Sequence, residues 1–433
     1  MLQLLLQYIL KKLARQVTRK YNPKIIGITG SVGKTTTKEA IILVLSQKYQ
    51  VRGNIKNYNN EIGLPLTILG LKSPGRSLLG WFKVFCSAIG LLILTDKNYP
   101  EFLILEMGVD HPGDMDYLLS FIHPVIGVMT VIGQAHLEFF GSQDNIAKEK
   151  GKLIEYLPEQ GVGVLNIDDQ RVAKMVTKSK AKIITYGFGQ LAEVRATDLV
   201  FNYQTAVKLE ANELSGLSFK INYHNAIALV SMPLAISEAS VYSALAAAAV
   251  GISQGVELLS LAEALVKFQP PRGRLNILSG QYNNVLLDDS YNASPTSVMA
   301  ALDILNKLPV ADAGHRVAVL GDMLELGVNG PAEHRRLGQI IAKLAIGRLI
   351  LIGPLAAMIG QEAEQQGWVG KINYFAESAA AAAIIDKLIP EKSAVLLKGS
   401  QGSRIERITK QLLADSNKPV DCLVRQEDQW LNS

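Results

Sequence analysis

Short, continuous apolar runs recur along the chain, each followed by a polar or glycine-rich turn and then a stretch with helical spacing. Lys24–Thr29, Phe102–Met107, Val125–Val131 and Val162–Asn166 are such runs. Unbroken apolar runs of this length predict strands buried on both faces of a parallel sheet. Helical stretches after Gly33 and over Asn145–Tyr156 separate them, which is the alternation of a doubly wound α/β domain. Residues Val194–Met232 alternate polar and apolar positions and predict an antiparallel excursion, and Val241–Gly251 reads as an alanine-rich helix. The prolines and glycine of Phe268-Gln269-Pro270-Pro271-Arg272-Gly273-Arg274 mark a linker. A second α/β alternation follows, with strands expected at Asn284–Asp289, Arg316–Gly321, Arg348–Gly353 and Ala394–Lys398.

Two segments break this rhythm. Leu2 to Lys24 has the pattern of a basic amphipathic helix, with Lys11, Lys12, Arg15, Arg19 and Lys20 among leucines. Leu78 to Leu94, inside an insertion over residues 73–98, is apolar apart from Lys83. It is short for a membrane span, which needs about 20 residues. Packing on the protein itself and contact with a bilayer surface are both open for these segments. The expected organisation is a basic helix over residues 1–23, a central domain over 24–271 and a C-terminal domain over 272–433.

A chain of 433 residues is too long for one ordinary core, which agrees with this division. With 48% hydrophobic and 19% charged residues it is globular rather than disordered. The net charge of +5 and the lack of a basic stripe interleaved with aromatics argue against a nucleic-acid partner. Cys86 and Cys422 form no spaced set, so neither a disulfide framework nor a zinc site is expected. Without a signal-peptide layout, a cytoplasmic location is expected.

The segment Gly27-Ile28-Thr29-Gly30-Ser31-Val32-Gly33-Lys34-Thr35-Thr36-Thr37 carries the clearest chemistry. Glycines let backbone N–H groups curl around phosphates, and a helix N-terminus adds partial positive charge. Lys34 reaches the terminal phosphates and the Thr35 hydroxyl ligates Mg²⁺, so the chain is expected to bind a nucleoside triphosphate through Gly30, Ser31, Gly33, Lys34, Thr35 and Thr36. The common spacing places a glycine where Ile28 stands. Glu106 ends a buried strand on the side where such sheets bind ligands, and Mg²⁺ coordination is its natural task. His136 follows the strand Val125–Val131 and is a candidate for metal or phosphate contact. Lys150, in a predicted helix, reads from its own residue type as a solvated lysine. The turn Asp288-Asp289-Ser290-Tyr291-Asn292 admits either helix capping or nucleotide contact. Gly321–Gly327 and Lys398-Gly399-Ser400 also sit at strand ends.

These motifs, in this order, resemble the Mur ligase family of ATP-dependent amide ligases in peptidoglycan precursor synthesis. The likeness rests on Gly27–Lys38, Asn59-Asn60-Glu61-Ile62-Gly63-Leu64-Pro65, Glu106-Met107-Gly108 with His111-Pro112-Gly113, and Gly133–Gly141. It continues through Leu165–Asp169, Asp289–Pro295, Leu320–Gly327 and Lys398-Gly399-Ser400. It favours the branch that adds D-Ala-D-Ala to a muramoyl peptide. The resemblance implies a central ATPase domain with a mostly parallel sheet and a C-terminal Rossmann-like α/β domain. It implies that a substrate carboxylate takes the γ-phosphate of ATP and that an amine then attacks the acyl phosphate. It assigns Lys34, Lys150 and His136 to catalysis, Thr35 and Glu106 to one Mg²⁺, and His136 to a second. A lysine matching Lys150 is carbamylated by CO₂ in this family and supports that second ion. Arg274, Asp289 and Asn292 are implied ATP contacts, and Asn59, Asn60, Lys398 and Ser400 substrate contacts.

Two features depart from that branch. Its members carry a UDP-sugar-binding domain before the phosphate loop, where here residues 1–23 precede the first strand. Ser237-Glu238-Ala239-Ser240 and Ser243 stand where the family usually has Gly-Arg-His-Asn and a further Asn. The expected partners are a muramoyl-peptide acceptor and D-Ala-D-Ala. The protein is expected to be monomeric and cytoplasmic, with peripheral contact at the inner face of the membrane left open. A related ligase acting on another carboxylate, as folylpolyglutamate and cyanophycin synthetases do, and a non-catalytic nucleotide-binding regulator are the alternatives.

Overall fold

The computed structural model describes residues 2–55, 58–75, 77–133, 137–202, 214, 216–415, 422–427 and 430. Among them, two sheets carry the fold. The first contains β1 (Lys24–Thr29), β2 (Val51–Gly53), β3 (Phe102–Glu106), β4 (Ile126–Met129), β5 (Val162–Asn166), β6 (Lys182–Gly187), β7 (Val194–Phe201), β8 (Leu217–Tyr223) and β9 (Ala226–Met232). Their spatial order is β2-β3-β1-β4-β5-β6-β7-β8-β9. The second contains β10 (Asn276–Ser279), β11 (Val285–Asp289), β12 (Arg316–Gly321), β13 (Arg348–Ile352), β14 (Lys371–Phe375) and β15 (Ala394–Lys398), in the order β10-β11-β15-β12-β13-β14. The chain forms two compact units, one of residues 1–198, 219–230 and 239–267, the other of residues 199–218, 231–238 and 268–433.

The fully apolar strands are central and parallel. β1 lies between β3 and β4 and is parallel to both, and β15 lies between β11 and β12 in the same way. Side-chain alternation explains the apolar runs of the second sheet. Val285 and Leu287 enter one hydrophobic cluster and Leu286 the other, as Val317 and Ala318 do in β12. A strand that feeds a core on each face has no polar side.

The excursion over Val194–Met232 differs in part from its expectation. β7 joins β6 in parallel, through Tyr186↔Val194 and Gly187↔Arg195. β8 and β9 are separated by His224-Asn225 alone, and a connection that short joins antiparallel strands only. Alternation reports a half-exposed sheet face, which does not fix strand direction.

Four helices frame the phosphate loop and the apolar insertion. α1 (Leu2–Tyr21) buries Leu10, Ala14 and Val17 in the first unit's core, at helical spacing. α2 (Lys34–Leu45) follows β1 directly. α3 (Gly63–Leu69) is buried throughout, and α4 (Leu78–Ile93) forms the insertion itself. No helix among the described residues is long and apolar enough to cross a membrane.

Candidate active site

The phosphate loop takes its shape from two glycines. Gly30 has φ +140° and Gly33 φ +86°, values that side chains disfavour. A Cβ on Gly30 would lie 1.9 Å from Thr130 Oγ1. That hydroxyl is already committed, donating to Val32 O at 2.7 Å and bracing the loop from the strand edge beside β1. The Ser31 N–H donates to Val131 O at 2.7 Å. Lys34 opens α2 and folds back, its ammonium donating to Gly30 O at 2.9 Å. Ser31 Oγ is buried and makes no hydrogen bond. An orphaned hydroxyl beside a helix N-terminus suits a phosphate oxygen.

Sheet register then places Glu106. Ile28 of β1 pairs with Glu106 of β3, so this carboxylate emerges beside the loop. Glu106 Oε2 accepts from Thr35 Oγ1 at 2.8 Å and Oε1 from Asn59 Nδ2 at 3.3 Å. Its backbone N–H donates to Asn54 Oδ1 at 2.8 Å. Asn54 also takes the ammonium of Lys38 on its carbonyl, and Lys38 is buried on α2. Sequence reasoning assigned neither Asn54 nor Lys38 a role of its own. Nothing in their residue types signals it, because it arises from β2 ending opposite α2. Asn60 turns to α3, accepting from Ile62 N–H and Gly63 N–H at 3.3 and 2.9 Å.

Lys150 departs most from its residue-based reading. The helix Gln143–Glu155 starts at Ser142, whose hydroxyl accepts from Asn145 N–H, a cap worth about 1 kcal/mol. It carries Ile146, Leu153 and Ile154 into the core, and Lys150 lies on the same stripe, 1% exposed. The solvated-lysine expectation is therefore wrong. Its position four after Ile146 and three before Leu153 is the signal that residue type alone hides. The ammonium donates to Val109 O at 3.1 Å, under the segment that follows Glu106. Burial, reinforced by the charge of Lys34, pulls the Lys150 amine down to about 7, against the opposing pull of Asp110, Asp114 and Glu149. Neighbouring Glu149 accepts from Gly113 N–H and Met115 N–H at 2.9 and 3.0 Å, tying the His111-Pro112-Gly113 turn to this helix.

The hydroxyl at Ser243 also reaches the loop helix, accepting from Thr37 Oγ1 at 3.2 Å. His136 lies outside the described residues. Ile132, four residues before it, is held by Asp169 Oδ2 at 2.8 Å. Among the described residues no group of three or more His, Cys, Asp or Glu could hold a metal. Thr35 with Glu106 offers one hydroxyl and one carboxylate, which fits Mg²⁺ completed by phosphates and water.

In the second unit the register again makes the contact. Asp289 pairs with Lys398 across β11 and β15, and their side chains meet at 2.6 Å. Lys398 is buried, also donates to Asn292 O at 3.0 Å, and is pushed below the ordinary lysine range by desolvation, which Asp289 opposes. Ser400 Oγ accepts from Leu324 N–H at 2.9 Å and donates to Ala293 O at 3.4 Å. Arg274 stacks its guanidinium 4.1 Å from the Tyr291 ring. Asp288, fully buried, is raised by desolvation to about 6. Thus Asp289, Asn292, Lys398 and Ser400 gather at the carboxyl ends of two parallel strands, where such sheets bind ligands.

Comparison with known proteins matches both units. A family model described as the Mur ligase middle domain matches residues 28–79 and 86–251. One described as Mur ligase, glutamate ligase domain, matches residues 273–401. The chain is 28% identical over 404 residues to the UDP-N-acetylmuramoyl-tripeptide–D-alanyl-D-alanine ligase of Bacillus subtilis, covering 93% of this chain and 79% of that protein. It is 32% identical over 405 residues to the Synechocystis protein of the same name, covering 93% and 77%. Among solved structures it is similar to MurF from Acinetobacter baumannii, with a TM-score of 0.77, 26% identity and coverage of 94% and 81%. It is also similar to the MurF ligase from Thermotoga maritima in complex with ADP, with a TM-score of 0.72, 25% identity and coverage of 94% and 83%.

Proposed function

The chain belongs to the Mur ligase family, and from that premise we propose that it is an ADP-forming ligase joining D-alanyl-D-alanine to a UDP-N-acetylmuramoyl tripeptide. The contact between Thr35 and Glu106 at the mouth of the phosphate loop carries this reading. ATP sits with its phosphates on the loop of Gly30, Ser31, Gly33 and Thr36, where Lys34 leaves Gly30 O for the phosphate oxygens. Thr35 and Glu106 would hold Mg²⁺, which would offset phosphate charge there. The acceptor carboxylate attacks the γ-phosphorus and ADP leaves; the dipeptide amine then attacks the acyl carbon and phosphate leaves. Two anions must meet in the first step, so the cationic Lys34 acts where charge builds up.

Lys150 becomes a carbamate in this proposal. A neutral amine is the form that attacks CO₂: a C–N bond forms, a proton leaves, and a carboxylate-like anion replaces a cation. Burial and the neighbouring Lys34 favour the neutral amine. With His136, the modified Lys150 would hold a second Mg²⁺ and so offset further phosphate charge. Asn59 and Asn60 serve the acceptor, Arg274, Asp289 and Asn292 the nucleotide, and Lys398 and Ser400 the incoming dipeptide. The functional domains are residues 24–271 and 272–433, with the basic amphipathic helix over 1–23 packed on the first. The enzyme works in the cytoplasm as a monomer.

The test is ADP release with UDP-muramoyl tripeptide, with and without D-Ala-D-Ala, alongside detection of the amide product. Product and ADP should appear together only when both substrates are present; ATP turnover without amide product rejects ligation. Lys34→Ala should lower turnover by roughly 10²–10³-fold. Lys150→Ala should abolish amide formation and regain part of it with a short-chain carboxylic acid. Full activity of that variant rejects the carbamate.

A further inference from the structure

The insertion helix α4 has 16 residues, and its outward side is apolar. Leu78, Leu79, Phe82, Ile89 and Ile93 are between 48 and 80% exposed, and Cys86 is exposed among them. At 100° per residue these positions form one stripe, opposite the buried Val84 and Ala88. Apolar residues scattered singly on a surface need no explanation, whereas a continuous stripe marks a surface that something covers. The family match breaks at residues 80–85, inside this helix.

Charge names the occupant. Lys83 is the one charged residue within α4, and no acidic residue stands between Glu61 and Asp96. α1 packs beside it: Lys20 Nζ donates to Leu91 O and Leu92 O at 2.9 and 3.0 Å, and Tyr21 Oη to Leu91 O at 3.0 Å. No acidic residue precedes Glu39 in the chain. Along the solvent face of α1, the exposed Leu4, Leu5 and Tyr8 give way to the exposed Lys12, Arg15 and Arg19. Neither helix carries an acid, and apolar side chains interspersed with bases match acyl chains beneath anionic headgroups. A helix of 16 residues rises about 24 Å, short of a hydrocarbon core of about 30 Å, so it lies in the interface.

We propose that α4, with α1 beside it, docks the protein on an anionic phospholipid bilayer. α4 lies along the surface with Leu78, Phe82, Ile89 and Ile93 among the acyl chains, and Lys12, Arg15, Arg19 and Lys83 meet the headgroups. This goes beyond the ligation reading and does not depend on it.

The test uses the full chain with Cys422→Ser and an environment-sensitive fluorophore on Cys86, mixed with vesicles of phosphatidylcholine and phosphatidylglycerol or of phosphatidylcholine alone. Anionic vesicles should shift the emission to the blue and pellet the unlabelled protein, and molar salt should weaken both effects. Lys12→Gln, Arg15→Gln and Arg19→Gln should each lower partitioning about fivefold. The pair Phe82→Asp and Ile93→Asp, at exposed positions, should abolish pelleting while ATP turnover persists. An unshifted emission with no pelleting on anionic vesicles overturns the proposal. So does a dimer seen by light scattering that Phe82→Asp dissolves and vesicles do not bind, since the stripe would then belong to a second copy.

Discussion

Lys150 shows how far a residue's role departs from its type. Its amine is drawn down to about 7 by burial first and by Lys34 second. Above that value it is neutral and can take up CO₂; below it the proton blocks the reaction. Amide formation should therefore fall as the pH drops through about 7, and bicarbonate should move that limb to lower pH. A limb indifferent to bicarbonate would argue against a carbamate. The stability effect has its own sign. Between about 7 and the ordinary lysine value of 10.5, the unfolded chain binds a proton that the folded protein does not. In CO₂-free buffer, stability should rise with pH across that window. Urea midpoints should show this slope in the wild type and lose it in Lys150→Met. Sequence pattern placed Lys150 in a helix, but its burial depends on the strand segment and the turn that cover it.

At the scale of the element, the phosphate loop was the most legible part of the chain, because glycine spacing, a lysine and a helix start are adjacent in sequence. Its two glycines nevertheless do different work. Gly33 needs its left-handed φ and has open space where a Cβ would go. Gly33→Ala should thus cost only backbone strain, about 1–2 kcal/mol. Gly30→Ala also drives a methyl group into Thr130 Oγ1 and should disrupt the bond to Val32 O. Denaturation should rank Gly30→Ala below Gly33→Ala in stability; equal losses would mean that Thr130 yields freely. The support from Thr130 leaves no trace in the loop's own sequence, since it reaches the loop from just past the end of β4, the strand paired with β1. The insertion was legible as an apolar segment, but its choice between core and surface was not. That choice depends on which of its faces α1 and the core have room to cover.

At the scale of the whole molecule, β1, β3 and β4 lie in one unit and β11, β12 and β15 in the other, with separate apolar clusters, so lesions in these strands should stay local. Lys398→Met leaves the Asp289 carboxylate facing an apolar side chain in place of its cation. Breaking such a buried pair costs about 3 kcal/mol or more. Hydrogen exchange should rise in β11, β12 and β15 while β1, β3 and β4 keep their protection; a rise in the first sheet would show that the lesion is not local. The sequence by itself determined the alternation of strands and helices, the position of the phosphate loop and the family. Those depend on residues close together in the chain, through side-chain period, glycine placement and helix starts. Only the tertiary structure decided that Glu106 meets Thr35, that Asp289 meets Lys398, that Lys150 is buried and that the stripe of α4 is not. Each of these is set by strand register or by which distant segment packs over a face; helical spacing puts Lys150 on the apolar stripe, but only the packed segment over that stripe buries it.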